Sequence, residues 1–354
     1  MSGRNQQVSI DGELSKSLPV NIGVPQGNIL GPILYCLLVN DFPEVAHNHP
    51  PSDEFPSFWN TYYKRCGGIA CFADDSSFSK SNKEPATLNK EIKDKYTEVA
   101  EYMASNKLVL NSDKTHLLVM STDRMHKFHG NFGIELDTGT EIILPQDHEK
   151  LLGCNISSDF TWNQHLRDNE FSIHRQLTSR INALRKISYA ALFATRKMIA
   201  NGIVISQIVY VIQIWGGTNE YLLKMLQILQ NKAARFVTKL DIFTSQETLL
   251  KQCGWLNIKQ LVAFHSLVLI YKTRLEKKPI FLHRILTKQF NYRTRAASSG
   301  SVVFNHSISG DVAKTAFISR STKEWNNLPP QIKQAGNLMK FKRTLRVWIK
   351  EHVT

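Results

Sequence analysis

The sequence predicts an α+β fold. Strands and helices alternate in roughly the first 165 residues, and the rest of the chain is mostly helical. Short apolar runs bounded by turn residues dominate the first part, which is typical of strands and hairpins. Beyond it, apolar residues recur every three or four positions, which is typical of amphipathic helices. The charge changes near the same place, from a net −7 over residues 1–160 to a net +21 over residues 161–354.

Turn residues and apolar alternation predict the elements of the first part. Residues 8–24 are predicted to form an extended pair that turns at Asp11-Gly12. Residues 69–78 are predicted as strand, turn and strand around Ala73-Asp74-Asp75, and the proline-rich segment 42–66 as an irregular insertion. The other predicted elements are an apolar helix over 30–39, an amphipathic helix over 88–103, and short strands near 117–120, 142–144 and 151–156.

Apolar residues at helical spacing predict three amphipathic helices in the second part of the chain. One stripe contains Leu177, Ile181, Leu184 and Ile187, a second contains Leu222, Leu226, Leu229, Ala233 and Phe236, and a third contains Phe341, Leu345 and Trp348. This spacing gives each helix one apolar face to bury. A basic and less periodic stretch, roughly 284–312, separates the last helix from the others.

Composition argues against several classes of protein. The five cysteines are scattered and form no C-x-x-C pair, so neither a disulfide framework nor a zinc site is expected. The longest apolar stretches fall short of the ~20 residues that a bilayer span needs. No basic segment followed by an apolar core opens the sequence. The expectation is an intracellular protein without a membrane partner.

The positive charge of the second half favours a polyanion as partner. Contacts to phosphates release counterions and dominate the affinity of proteins for nucleic acids. A net charge of +21 over residues 161–354 therefore predicts nucleic-acid binding. The alternative is a basic, solvated helical surface that binds nothing specific.

Adjacent carboxylates occupy the hairpin predicted over 69–78. At a turn, Asp74 and Asp75 can approach one hard cation, and Mg²⁺ prefers a few carboxylates together with waters and substrate phosphates. A two-metal site for phosphoryl transfer needs carboxylates from more than one strand. Taken alone, such a pair is also explained as solvated turn residues that hydrogen-bond locally.

Four sequence motifs occur in order along the chain, and one of them contains Asp74 and Asp75. They are GVPQGNILGPILYCLLVNDFP at 23–43, FADD at 72–75, LVLNSDKTHLLVM at 108–120 and LLGCNISSDFTWNQHL at 151–166. Together they resemble the palm motifs of non-LTR retrotransposon reverse transcriptases, with Asn28 in place of the common serine and Tyr35 in place of phenylalanine. Segments 231–240, 249–273 and 321–349 are similar to the tail of jockey-like elements. The resemblance covers nearly the whole chain.

The resemblance implies roles for particular residues. Asp74 and Asp75 would bind the catalytic Mg²⁺ ions, with Mn²⁺ as a possible substitute, and Lys114 would lie near the nucleotide phosphates. The pocket for the template base and the incoming nucleotide would contain Gly23, Pro25, Gln26 and Gly27. The primer grip would contain Gly153, Trp162 and His165, and the thumb would contact the nucleic-acid backbone through Arg175, Arg180, Arg185, Lys186 and Arg196. An exposed strand-edge lysine explains Lys114 equally well, and core packing explains Trp162.

The implied protein is an RNA-directed DNA polymerase that uses an RNA template, a DNA primer and deoxynucleotide triphosphates. Its domains would be a truncated palm over 1–165, a helical thumb over 166–240 and a basic, mostly helical region over 241–354. Nuclear action would follow from the family's mode of integration alone. The sequence leaves the oligomeric state open.

The family's first metal-binding motif, F-x-x-D-x-x-x-A-F-D, precedes the segment that 2–12 resembles. Asp11, Asp41 and Asp53 do not lie on strand-like apolar runs, so none is expected to replace its aspartate. The fingers and an endonuclease domain are also not seen in the sequence. The expectation is therefore little or no polymerase activity by this chain alone. The alternatives are a non-enzymatic nucleic-acid-binding fragment and a degenerate remnant of an element.

Overall fold

The fold comes from a computed structural model of the chain, which describes residues 4–20, 23, 27–42, 69–121, 133–139, 141–186, 189, 191–286 and 314–353. The predicted insertion over 42–66 lies outside the described residues except for Phe42, and most of the basic stretch over 284–312 does too. The chain divides into two compact units, Met1–Gln146 and Asp147–Thr354. The three-part division into palm, thumb and tail stays a prediction.

Short pairs of strands and two helices make up most of the described part of the first unit. Its strands are β1 (Arg4–Gln6), β2 (Ser9–Ile10), β3 (Glu13–Leu14), β4 (Leu18–Val20), β5 (Ile69–Phe72), β6 (Asp75–Phe78), β7 (Leu117–Leu118), β8 (Leu136–Asp137), β9 (Ile142–Ile143) and β10 (Pro145–Gln146). Its helices are α1 (Gly31–Leu38) and α2 (Pro85–Ser105). Strand β1 pairs with β4, β2 with β3, β5 with β6 and β8 with β9, all antiparallel, whereas β7 and β10 run parallel.

The turn predicted at Asp11-Gly12 is confirmed. Asp11 and Gly12 have φ values of 51° and 89° and join β2 to β3. Two positive φ angles in a two-residue loop match the right-handed twist of the flanking strands, which is why Asp-Gly is favoured there.

Helix α2 organises the core of the first unit. One cluster contains Ile92, Tyr96, Leu117, Ile134 and Leu136, and the other contains Phe42, Val99, Tyr102 and Met103. The predicted periodicity over 88–103 is thus the buried face of a helix that is slightly longer than expected. The Tyr102 hydroxyl donates to Asp41 Oδ1 at 2.6 Å, which ties α2 to the segment that follows α1.

The second unit opens with one hairpin and continues as helices. The strands are β11 (His148–Leu151) and β12 (Cys154–Ser157). The helices are α3 (Ile173–Lys186), α4 (Phe193–Ala200), α5 (Ser206–Val209), α6 (Ile212–Trp215), α7 (Glu220–Thr238), α8 (Gln246–Cys253), α9 (Ile258–Glu276), α10 (Ile280–Leu286), α11 (Phe317–Asn327), α12 (Pro330–Lys333) and α13 (Leu338–His352). Two π-helical turns, Gln164–Asp168 and Asn201–Ile205, interrupt the regular pattern.

Side-chain caps start the long helices of this unit. Asn219, Ser245, Asn257 and Asn337 each accept a hydrogen bond from the backbone N–H three residues on. Such caps satisfy amide groups that have no partner inside the helix. The predicted stripes are confirmed as the buried faces of α3, α7 and α13, although Trp348 is only half-buried and Ile187 lies outside the described residues.

The apolar faces meet in two clusters. The larger joins α3, α4, α7 and α8, and its fully buried members include Trp215, Leu222 and Leu226. The smaller joins α9, α11 and α13, where the rings of Tyr271 and Phe341 stack 4.0 Å apart. Within the described ranges, no individual helix has the length and apolar composition of a membrane span; α8 and α9, bent by 44°, pass that test only as a pair.

Candidate functional site

The two adjacent aspartates lie at the tip of the β5–β6 hairpin. Phe72 pairs with Asp75, so Ala73 and Asp74 form a two-residue turn and Asp75 begins β6. Both aspartates are exposed. Ala73 has a φ of 51°, a conformation that costs a residue with a Cβ about 1–2 kcal/mol. The tight turn therefore presents two carboxylates at the hairpin tip at a cost in backbone strain.

Tyr35 of α1 lies close to this tip. Partial burial raises the pKa of its phenol, and the negative charge of Asp74 raises it further. This interaction links the segment 23–43 electrostatically to the hairpin, although 39 positions separate Tyr35 from Asp74 in the chain. In the sequence Tyr35 is notable only as a replacement for phenylalanine, and nothing there indicates this electrostatic interaction.

The carboxylates at the tip fit a hard cation in part. Two exposed aspartates can bind one Mg²⁺ that keeps waters and takes substrate phosphates as its other ligands. Across the ranges that the structure describes, no group of three or more His, Cys, Asp or Glu residues could hold a metal ion. Asp11 lies in the β2–β3 turn, Asp41 accepts from Tyr102, and Asp53 lies outside the described residues. The set that a two-metal site requires is thus incomplete in the described part of the chain.

Two of the four residues predicted to line the nucleotide pocket are glycines. Gly23 and Gly27 both have a φ of +81°, and a Cβ added to either would meet nothing within 4 Å. Their requirement is conformational, because residues with a Cβ rarely adopt this φ. Pro25 and Gln26 lie outside the described residues.

Lys114 ends a short 3-10 turn, Ser112–Lys114, before β7. Asn111 caps this turn, since its side-chain oxygen accepts from the Lys114 backbone N–H at 3.2 Å. The Lys114 side chain is exposed. This position is compatible with the predicted phosphate contact and equally with a solvated lysine.

Gly153 lies in the tight turn of the β11–β12 hairpin. Leu152 and Gly153 have φ values of 48° and 80°, a geometry in which glycine costs nothing and leucine is strained. The Tyr210 hydroxyl donates to the Leu152 carbonyl at 2.5 Å. The Tyr210 ring also lies 3.6 Å from where a Cβ on Gly153 would be. Tyr210 therefore holds the tip of this hairpin against the helical region.

Replacing Tyr210 with phenylalanine should test that contact. The variant keeps the ring packing but loses the hydrogen bond, so we expect a loss of about 1 kcal/mol in the free energy of unfolding. Denaturant unfolding of the full chain measures this change. Tyr189→Phe, at a more exposed tyrosine of the same unit, serves as the matched control, and equal losses in both variants would contradict the proposed contact.

His165 lies in the π-helical turn beneath the same hairpin. Its ring is buried, and Nδ1 accepts a hydrogen bond from the Asn155 backbone N–H at 3.4 Å. Burial lowers the pKa of His165 to about 4, so the ring is neutral at pH 7. The half-buried Trp162 meets it edge-on, with 6.2 Å between the ring centres. The structure thus brings Gly153, Trp162 and His165 into one region of the second unit.

The five cations predicted to contact nucleic acid have different environments. Arg175, Arg185 and Lys186 are exposed on α3. Arg180 is half-buried and donates to the Ile203 carbonyl at 2.8 Å.

Arg196 is the exception among the five predicted cations. It is buried, and its guanidinium donates to the carbonyls of Val237 and Ala191 at 2.9 and 2.5 Å. This geometry gives Arg196 a packing role that the sequence analysis did not anticipate, because a buried guanidinium already bound to carbonyls is poorly placed to meet phosphate. The side chains of Arg175, Arg185 and Lys186 stay available.

Comparison with known proteins gives this arrangement its context. Residues 4–156 match the family described as reverse transcriptase (RNA-dependent DNA polymerase). The chain is 26% identical over 278 residues to the probable RNA-directed DNA polymerase from transposon X-element of Drosophila melanogaster, covering 78% of this chain and 28% of that protein. It is 24% identical over 236 residues to the RNA-directed DNA polymerase from mobile element jockey of the same organism, covering 66% of this chain and 24% of that protein. No solved structure matches the chain.

The segment that matches the family contains the β5–β6 hairpin. Residues 4–156 form a reverse transcriptase domain with mixed helix and strand content. Over most of its length the chain is similar to RNA-directed DNA polymerases of transposons, that of the mobile element jockey among them. It spans about a quarter of the length of these curated relatives.

Proposed function

We propose that this chain is a part of an RNA-directed DNA polymerase that contains palm and thumb segments. The observation that carries the proposal is the β5–β6 hairpin, whose tight turn exposes Asp74 and Asp75 beside Tyr35. An exposed carboxylate pair on a tight turn suits a divalent cation that also binds the phosphates of an incoming nucleotide. The template is RNA, the primer is DNA and the substrates are deoxynucleotide triphosphates.

Each residue near the hairpin has a proposed part in binding. Asp74 and Asp75 hold Mg²⁺, which Mn²⁺ can replace, and when bound the ion neutralises charge on the transferring phosphates. Lys114 adds a positive charge for the nucleotide phosphates. Gly23 and Gly27 let the backbone approach the template base and the incoming nucleotide closely, because they lack a Cβ.

The second unit is proposed to hold the primer and template. Its hairpin and the buried His165 form the primer grip with Trp162, and the exposed cations Arg175, Arg185 and Lys186 on α3 contact the nucleic-acid backbone. The net charge of +21 over residues 161–354 supports this role, since phosphate neutralisation dominates such binding. The fold proposal accordingly keeps a palm over 1–165, a thumb over 166–240 and a basic tail over 241–354.

The polymerase activity of the 354-residue chain on its own is proposed to be very low or absent. A two-metal mechanism needs carboxylates that approach the ions from more than one strand. Within the described ranges, Asp74 and Asp75 have no third metal-binding residue grouped with them.

A second candidate is a non-enzymatic nucleic-acid-binding fragment of such an element. The observation that favours it is the division of the chain, because the basic helical region lies in a compact unit of its own. This candidate needs no metal at the hairpin.

Reading the transcript upstream of the Met1 codon separates the two candidates. An open frame that encodes the F-x-x-D motif favours the polymerase, and an intervening stop codon favours the binding fragment.

Binding of a short, fluorescently labelled RNA–DNA hybrid by the purified chain tests what both candidates share. We expect the logarithm of the affinity to fall linearly with the logarithm of the salt concentration, with a slope of about −0.9 for each phosphate contact. Binding that does not respond to salt, or no binding at low salt, would exclude both candidates.

A further inference from the structure

A small cavity in the second unit is lined by four cations and one aromatic ring. Its volume is about 200 Å³, and it lies where α3 and α7 end. The residues that line it are Arg185, Lys232, Arg235, Phe236 and Lys239, and we call it the α3–α7 notch. One water occupies about 30 Å³ in the liquid, so the notch has room for an anion of several atoms.

The notch has a clear origin in the sequence. Lys232, Arg235 and Lys239 are three and four positions apart, so they lie along one face of α7. The neighbouring Ala233 and Val237 are buried and hold the opposite face in the core. The sequence predicts Ala233 and Phe236 on an apolar stripe, but it assigns no role to these three cations.

The end of α7 positions the backbone of Lys239. Lys239 caps α7 with a φ of 58°, and its backbone N–H donates to the Arg235 carbonyl at 2.8 Å. The end of α7 is therefore well defined, and the three α7 cations and Arg185 of α3 converge on one cavity.

Arg235 contributes a hydrogen-bond donor that lacks an acceptor. Its Nη2 donates to the Ile242 carbonyl at 3.1 Å, which orients the guanidinium. Its Nε is shielded from solvent and finds no hydrogen-bond partner among the residues the structure describes. A buried donor is normally paired, and the described residues leave this one without an acceptor.

Cations near helix C-termini also have an ordinary explanation, because they offset the negative end of the helix dipole. Each helix end carries only about half a negative charge, whereas four full positive charges line the notch. In the described part of the chain, none of the four is paired with a carboxylate. The Asp241 carboxylate, nearby along the chain, accepts from the Phe243 backbone N–H at 2.8 Å. The dipole therefore accounts for only part of this charge.

We propose that the α3–α7 notch binds a phosphate group of the nucleic-acid backbone. The inference rests on the proposed function and extends it, because it assigns Lys232, Arg235 and Lys239 to the interface and fixes its position on the helices. The charged groups that line the notch are donors and carry no acceptor, so they suit an oxyanion and not the edge of a base. Contact at this site is thus independent of base sequence.

Paired lysine substitutions in the full chain test the notch. The double variant Lys232→Gln/Lys239→Gln removes two of its charges, and the matched control Lys224→Gln/Lys350→Gln removes two exposed charges elsewhere in the same unit. The probe is the labelled RNA–DNA hybrid, titrated at several salt concentrations. We expect the notch variant to bind about tenfold more weakly, with a salt slope smaller by about two. The control should lose less than about twofold in affinity.

The outcomes separate the notch from the proposed function. If the wild-type chain binds with salt dependence and both double variants bind alike, the notch is not a phosphate site and the proposed function stands. If the wild-type chain does not bind the hybrid, the proposed function fails and the notch fails with it. Arg185→Gln, on the other helix, should weaken binding in the same direction, so the test does not depend on α7 alone. Unchanged unfolding midpoints show that the substitutions act on binding.

Discussion

Replacing Gly217 with alanine is expected to destabilise the second unit by about 3 kcal/mol, one of the largest losses that a single methyl group can cause. A Cβ at this position would lie 2.0 Å from the Thr315 carbonyl oxygen and 3.0 Å from its carbonyl carbon. Both are backbone atoms, so no side-chain rotation relieves the overlap. Arg320 also donates to the Gln213 carbonyl at 3.0 Å, which holds the same two segments together. The chain must therefore shift, or this contact must open.

Gly202→Ala provides the matched control for that experiment. Gly202 is exposed in the helical region, its φ is not in the left-handed range, and a Cβ there would meet nothing within 4 Å. Alanine is favoured over glycine in helices, so we expect no loss, or a gain of up to about 1 kcal/mol. Denaturant unfolding followed by tryptophan fluorescence measures both variants. Equal midpoints for Gly217→Ala and the wild type would show that the close contact between Gly217 and Thr315 is not present in solution.

The second large effect is a loss of stability in acid that depends on His165. Burial lowers the pKa of its imidazole to about 4, whereas an unfolded histidine titrates near pH 6.5. Between these values the unfolded state binds the proton and the folded state does not, so stability falls as pH falls. The contribution is fully present above about pH 6.5 and amounts to about 3 kcal/mol, which is lost by about pH 4. Protonation of Nδ1 would also break the hydrogen bond from the Asn155 N–H.

The comparison that isolates this effect is His165→Gln. Glutamine keeps a hydrogen-bond acceptor but has no charge to gain, so its unfolding free energy should depend less on pH between about 4 and 6.5. Burial also lowers the pKa values of His174 and His265, so these two residues likewise make the folded state less stable as the pH falls. Because both remain in the variant, only the difference between the two pH profiles reports His165. Parallel profiles would mean that His165 is not a buried neutral group.

Local sequence signals predicted much of the fold. Asp11-Gly12 predicted a hairpin, and the apolar stripes predicted the buried faces of α2, α3, α7 and α13, because turn preference and helical period act over a few residues. The same signals failed at 148–157, where a single strand over 151–156 was expected and two strands are found. The turn there begins with Leu152, a residue that gives no turn signal at positive φ.

The features of the candidate site were likewise predictable where they depend on neighbouring residues, and not where they depend on distant ones. The motif at 72–75 predicted the hairpin and its exposed aspartates, since the turn is formed by neighbouring residues. Contacts between distant positions were not predictable. Tyr210 reaches Leu152 across 58 positions, and Arg196 reaches Val237 across 41. Spacing alone could not separate the buried Arg196 from the exposed Arg185, because burial depends on which helices pack against each residue.

Primer extension tests the central claim most directly, namely that the Asp74 and Asp75 hairpin belongs to a polymerase site that needs further carboxylates. The purified 354-residue chain would be given an RNA template, a DNA primer, deoxynucleotide triphosphates and Mg²⁺, beside Asp74→Ala. We expect both chains to bind the primer–template with the same salt dependence and neither to extend it. Template-dependent extension by the unaltered chain that Asp74→Ala abolishes would contradict this, because two carboxylates on one hairpin would then suffice.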